Sequence, residues 1–252
     1  MTLRARAALG ALAVALAATV VPSGSAVAGG NSSCPLPRFG PGDEYHPHID
    51  PSNFTPNVDN PYYPLKPGRT LVYTGTKDGE RALNIVVPTR RTRVIDGVET
   101  RVVEDRLYLN NVLEERTSDY YTQDKCGNVW YFGEDTATLD AHGNVVDTSG
   151  SFHAGVDGAQ PGVFMQAAPE LGRRFRQEWF KGEAEDTFKA IDLSTGVTVP
   201  AGTFRHALRT EEKTALEPAV VDNKVYVRGI GEVIEKSVKG PVERLELVEV
   251  IS

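Results

Sequence analysis

The chain has 252 residues, of which 24% are charged and 40% hydrophobic; this is globular composition and excludes a disordered or collagen-like chain. It carries 27 Lys and Arg against 34 Asp and Glu, a net charge of -7 with no basic run, which argues against a nucleic-acid partner because phosphate binding needs clustered cations. Two cysteines exclude a disulfide-dense miniprotein and a four-cysteine zinc site.

Residues 1–28 read as a secretory signal peptide. Arg4 and Arg6 form a positive start, Ala7 to Val21 is almost unbroken apolar sequence, and Ala26-Val27-Ala28 supplies small residues before the expected cut after Ala28. The apolar stretch is short for a membrane span, and no later stretch replaces it. Asn31-Ser32-Ser33 ahead of Cys34 is not a lipobox. The expectation is a secreted, extracellular protein without stable membrane insertion. In an oxidising space two cysteines can bond, and the one intramolecular pairing is Cys34 with Cys126. It would close a loop of about 93 residues, for which chain entropy gives roughly 4–5 kcal/mol.

Residues 29–67 hold Pro35, Pro37, Pro41, Pro47, Pro51, Pro56, Pro61, Pro64 and Pro67. Proline removes backbone donors and fixes φ, so neither a helix nor a central strand is expected there. Phe39, Tyr45, Phe54, Tyr62 and Tyr63 in the same stretch are too many aromatics for a disordered tail. The reading is an extended strap laid across a β domain of residues 68–252 and tied down by Cys34. Within it, His46-Pro47-His48-Ile49-Asp50 puts His46, His48 and Asp50 on one side of an extended segment. Two imidazoles and a carboxylate suit zinc or copper, although a fourth ligand is not visible.

From Thr70 onward, short β-rich runs alternate with turn pairs. The runs are Thr70–Thr74, Ala82–Val87, Thr92–Ile95, Val98–Leu109, Leu113–Gln123, Val129–Phe132 and Val145–Asp147, then Phe175–Phe180, Glu185–Asp192, Val197–Pro200, Phe204–Lys213, Lys224–Arg228, Glu232–Val238 and Val242–Ile251. Asp78-Gly79, Asp96-Gly97, Asn110-Asn111, Gly127-Asn128, Gly143-Asn144, Thr195-Gly196, Asp222-Asn223 and Lys239-Gly240 separate them, and such pairs tolerate the positive φ of tight hairpins. About fourteen strands follow, with one short helical turn near Ala167–Leu171. The predicted fold class is all-β: an antiparallel meander forming an open or closed barrel, with a two-sheet sandwich as the alternative.

Several stretches carry a resemblance. Asp59-Asn60-Pro61-Tyr62-Tyr63-Pro64-Leu65 with Pro67-Gly68, Asp124 to Glu134, Ala154 to Ala159, Arg176-Gln177-Glu178 with Gly182 to Asp186, and Val199 to Phe204 followed by Gly229 to Val233 are similar to uncharacterised secreted bacterial β proteins of actinobacterial type. The resemblance covers nearly all of the mature chain and extends loosely to periplasmic lipoprotein carriers with an open barrel. It implies the fold and no activity, so it brings no catalytic residue.

The remaining constellations are weighed on their chemistry. Ser149-Gly150-Ser151-Phe152-His153 fails the nucleophile-elbow pattern and precedes no helix. The carboxylates Glu134, Asp135, Glu178, Glu183, Glu185 and Asp186 offer pairs for a hydrolase. Asp124, Asn128 and Glu134, or Asp140, Asn144 and Asp147, offer oxygen ligands without a complete calcium loop. His142 reads as turn chemistry and His206 as a strand residue without a role. Both tryptophans sit in aromatic clusters, Trp130-Tyr131-Phe132 and Trp179-Phe180. In a large barrel, Trp130, Phe132, Glu178 and Trp179 would line a mostly apolar pocket. The function expected is a secreted, non-enzymatic binding or accessory protein for a small apolar or amphipathic ligand, without a cofactor. A secreted hydrolase using paired carboxylates or a metal is the alternative from another class, and a structural envelope protein is a third. The sequence names no protein partner.

Overall fold

The structure, a computed structural model, describes residues 34–252; the signal peptide read over residues 1–28 lies outside them. Sixteen strands form one antiparallel sheet. They are β1 (Phe54–Thr55), β2 (Thr70–Lys77), β3 (Glu80–Ile95), β4 (Val98–Leu109), β5 (Val112–Asp124), β6 (Val129–Leu139), β7 (Val145–Asp147) and β8 (Phe152–His153). Then follow β9 (Gln160–Met165), β10 (Arg174–Arg176), β11 (Glu178–Trp179), β12 (Asp186–Val199), β13 (Gly202–Thr214), β14 (Val221–Val227), β15 (Gly231–Lys239) and β16 (Glu243–Ile251). Three hairpins turn on Asp78-Gly79, Asp96-Gly97 and Asn110-Asn111, each with positive φ at both residues, the mirror-image turn that matches strand twist.

The strand order is β10-β12-β13-β14-β15-β16-β2-β3-β4-β5-β6-β9-β11. The last strand lies against the first long one, from Glu243 with Lys77 to Ile251 with Thr70, with one register shift between Leu247 and Glu249. The two ends of the order, β10 and β11, are separated in sequence by Gln177 alone. The sheet is therefore a nearly closed barrel whose one unsealed seam is bridged by the chain itself. Gln177 leans to one side of the seam, its N–H donating to the Asp186 carbonyl at 2.8 Å. The barrel, and not the sandwich, is the architecture.

Some boundaries differ from the sequence reading for physical reasons. Ala82–Val87 and Thr92–Ile95 belong to one strand, β3, with a register shift between Pro88 and Thr92. Proline is tolerated at such a bulge because no ladder donor is needed there. Thr195-Gly196 does not turn; β12 runs through it with register shifts on either side. Asp222-Asn223 lies inside β14. Ala167–Leu171 is not helical, and Leu171 bridges Ala190 instead. Phe175–Phe180 splits at the seam into β10 and β11, and β9, absent from the predicted runs, follows the Asp157-Gly158 turn, where both residues have positive φ.

The barrel wall has two apolar faces. Inward, Val103, Tyr121, Tyr131, Met165, Leu208 and Tyr226 form one cluster, and Leu71, Tyr73, Leu107, Val233, Leu245 and Leu247 another. Outward, Val98, Tyr120, Trp130, Phe132, Phe175 and Phe188 form a third, covered by Leu36, Ile49 and Phe54. Phe54 meets the rings of Trp130 and Phe132 edge-on at 5.8 and 5.6 Å.

Residues 34–67 thus clothe part of the outer wall, with 3-10 turns at Gly42–Glu44 and Pro51–Asn53. The Cys34–Cys126 disulfide joins this segment to the barrel across a sequence separation of 92. Farther on, Val58, Tyr62 and Leu65 enter the inner cluster and plug one end of the barrel. Asn60, 1% exposed, fixes that plug. Its Nδ2 donates to the carbonyls of Gly127 and Gln166, and its Oδ1 accepts from the N–H groups of Tyr62 and Tyr63.

Candidate functional site

Alternation along β4 and β5 decides what faces inward. Val103, Asp105 and Leu107 point into the barrel from one strand, and Glu115, Thr117, Asp119 and Tyr121 from the next. On β6 the parity changes. Tyr121 pairs with Tyr131 but Asp119 pairs with Glu134, so β6 carries one extra residue, and Gly133 takes φ 146° there. A bulge of this kind re-aims the following side chain. Trp130 and Phe132 stay on the outer face, while Glu134 turns inward.

These residues line an interior cavity of about 270 Å³. Its floor is aromatic and apolar: Tyr63 of the plug, Leu65, Phe164 and Ile230. Tyr63 lies 4.5 Å from Phe164 and 5.3 Å from Tyr121, centroid to centroid. The far end is reached at Lys77 and Glu243, an ion pair at 3.5 Å whose side chains keep 35% and 22% of their surface open. The walls are acidic. Asp105, Glu115, Asp119, Glu134, Glu232, Glu235 and Glu243 face the cavity against only Lys77 and Lys224.

The two ammonium groups are already committed. Lys224 pairs with Glu235 at 3.2 Å and with Glu212 at 3.3 Å. Burial pulls its pKa down, but those carboxylates outweigh burial and hold it well above the usual value. Asp105 accepts from Asn84 Nδ2, and Asp119 accepts from the Tyr131 hydroxyl at 2.6 Å. Glu134 and Glu232 accept no protein hydrogen bond among the described residues. Carboxyls so placed resist ionisation. Burial, then the neighbouring Asp119 charge, pushes Asp105 up to about 7. Burial raises Asp119 to about 7, and it raises Glu232 to about 8 although Lys224 pulls the other way. Glu134 is pushed well up by burial and by Asp119.

The residues singled out from sequence lie elsewhere. Trp130 donates Nε1–H to Asp124 Oδ2 at 3.1 Å and, with Phe132, belongs to the outer cluster. Trp179 packs over Gly42 and under the Arg176 guanidinium, 4.5 Å from the ring centroid. Glu178 is 7% exposed and accepts one long bond, 3.4 Å, from the Asp186 N–H. None of the four reaches the interior cavity, whose walls are more acidic than the apolar pocket expected.

His46, His48 and Asp50 border a second hollow of about 410 Å³ between the N-terminal segment and the wall, which Trp130 also touches. Asp50 is occupied as a turn cap, accepting from Ser52 N, Ser52 Oγ and Asn53 Nδ2 at 3.0, 2.8 and 3.3 Å. Among the described residues, the three do not gather ligand atoms around a common point; Cys34, Asp124 and Cys126 do, but their sulfurs are bonded to each other.

The other constellations resolve into turn chemistry. Asp140 accepts from His142 N and Asn144 N, and Asp124 from Cys126 N and Asn128 N. Ser151 Oγ donates to the Thr136 carbonyl rather than meeting His153, whose Nε2 lies 2.9 Å from Asp135 Oδ1. His206 takes a left-handed backbone, φ 57°, at the β13 irregularity and meets Ser194 Oγ at 2.8 Å.

No family model matches the chain, and no curated protein matches it. Two solved structures do. One is a candidate exported protein with a YmcC-like fold from Bacteroides fragilis, 11% identical, with 76% of this chain and 99% of that one covered and a TM-score of 0.44. The other is a candidate lipoprotein from Parabacteroides distasonis, 9% identical, with the same coverage and a TM-score of 0.41. Likeness at this level carries neither fold nor function across, and neither source supports an actinobacterial origin. Among the described residues, no helix is long and apolar enough to cross a membrane.

Proposed function

We propose that the chain is an exported binding protein that holds a small amphipathic molecule inside its barrel. The carrying observation is the cavity itself: a hollow with an aromatic floor, polar walls and one end at the solvent-touched Lys77–Glu243 pair. A barrel built only for stability would fill this space with its own side chains. The signal-like N-terminus supports export, and the disulfide suits an oxidising compartment.

Native mass spectrometry of the untagged protein, secreted by a bacterial host, tests the reading. An organic adduct lost on denaturation is expected. Val86→Trp and Thr117→Trp, which fill the cavity from two strands, should each abolish it. An adduct that survives both substitutions, or a bare wild-type chain that also takes up no probe, would remove the cavity from consideration.

A further inference from the structure

We infer that the ligand of the barrel is a small organic cation, an amine or ammonium group on an aromatic or apolar body, held by the wall carboxyls with its body on the tyrosine floor. This rests on the reading that the cavity binds a small molecule.

Three observations carry it. First, the carboxyls of the hollow outnumber its cations: Lys77 and Lys224 are taken by Glu243, Glu212 and Glu235, which among the described residues leaves Asp105, Glu115, Asp119, Glu134 and Glu232 without a cation in ion-pair reach. Second, the Glu232 carboxyl is enclosed by the barrel and faces the hollow with no protein donor on it, and Glu134 is brought to the same hollow by the Gly133 bulge. Both side chains are half-buried, and a carboxyl that faces a cavity with no protein donor can take a charge-assisted bond from a ligand. Third, Tyr63, Tyr121 and Phe164 stand together at the floor, and electron-rich ring faces attract ammonium groups in a desolvated site. An anion would meet seven carboxyls against two lysines that are already paired, and a neutral apolar body would leave Glu134 and Glu232 without a donor.

Calorimetry with three probes of matched shape decides the matter: 2-phenylethylamine, 2-phenylethanol and 3-phenylpropanoate, in low salt near pH 8. The amine should bind at least about tenfold more tightly than the alcohol, since charge-assisted bonds to a buried carboxylate are about twice as strong as neutral ones. The propanoate should not bind. Asp119→Asn and Glu232→Gln should each weaken the amine about tenfold and leave the alcohol unchanged. On wild-type protein alone, amine affinity should fall as the pH is lowered from about 8 to 5, because the wall carboxyls then take protons, while alcohol affinity should stay level. If the alcohol or the propanoate matches the amine, the cation assignment is wrong and the cavity reading stands. If no probe binds, the cavity reading fails with it.

Discussion

Asp124 shows how much one polar side chain can hold. It is 3% exposed and accepts four bonds, from the N–H groups of Cys126 and Asn128, from Asn128 Nδ2 and from Trp130 Nε1. Removing it strands four donors beside the disulfide. Asp124→Ala is expected to cost about 3 kcal/mol or more, read as a lower urea midpoint with an unchanged slope. An equal midpoint would mean that water replaces the carboxylate without loss. At this scale the sequence was only partly legible. The Asp124, Gly127 and Asn128 turn could be read, because Asx chemistry is local. The inward-facing Asp105, Asp119 and Glu232 could not, because a carboxylate on an alternating strand is expected to face water, and the side it faces is set by partners far away in the chain. Glu134 stood among the candidate carboxylates, but its inward placement could not be read, since the bulge at Gly133 reverses the alternation that placed Trp130 and Phe132.

Among elements, the hairpins were the most readable and the seam the least. Asp78-Gly79 and Asp96-Gly97 announce tight turns because few residue types accept their φ. The seam depends on an encounter between β9 and the backbone between β10 and β11, and no local signal marks it. Gly162 is its signature. A Cβ at this position would lie 2.2 Å from the Gln177 carbonyl carbon and 2.5 Å from the Arg176 oxygen, so two backbones approach where only glycine fits. Gly162→Ala should destabilise the protein by about 2–3 kcal/mol and speed hydrogen exchange in β9 and β11. Gly196→Ala, where the added carbon meets nothing closer than 3.9 Å, is the control and should be near neutral. Equal effects at the two sites would show that the seam is slack.

The whole molecule should respond to pH through its interior. Asp105, Asp119 and Glu232 hold their protons to about 7, 7 and 8 in the folded protein, whereas an unfolded chain releases them near pH 4. Between about pH 4 and 8 the native state therefore binds more protons than the unfolded state, and stability falls as pH rises through that window. The thermal midpoint of the ligand-free protein is expected to be several degrees higher at pH 5 than at pH 8. Asp119→Asn should flatten the slope. A midpoint that rises toward pH 8 would mean that the wall carboxyls ionise freely. The sequence announced an acidic chain, but not that part of its acidity lies inside the barrel.

Because β16 pairs with β2, the wall of β2 to β6 joins the wall of β12 to β16 only once β16 has been made. Tyr73 waits for Leu247, and Thr70 for Ile251. Contacts so distant in sequence make for slow folding, and a chain threaded out N-terminus first must hold β2 to β5 open while the rest emerges. Bare hydrophobic strands would be hazardous in that interval, since exposed edges recruit other chains. Asp105, Glu115 and Asp119 interrupt the inward faces of β4 and β5, and charges within strands act as gatekeepers against aggregation. The carboxyls that shape the finished cavity would thus also protect the nascent chain, keeping its half-built wall soluble until the final strand arrives.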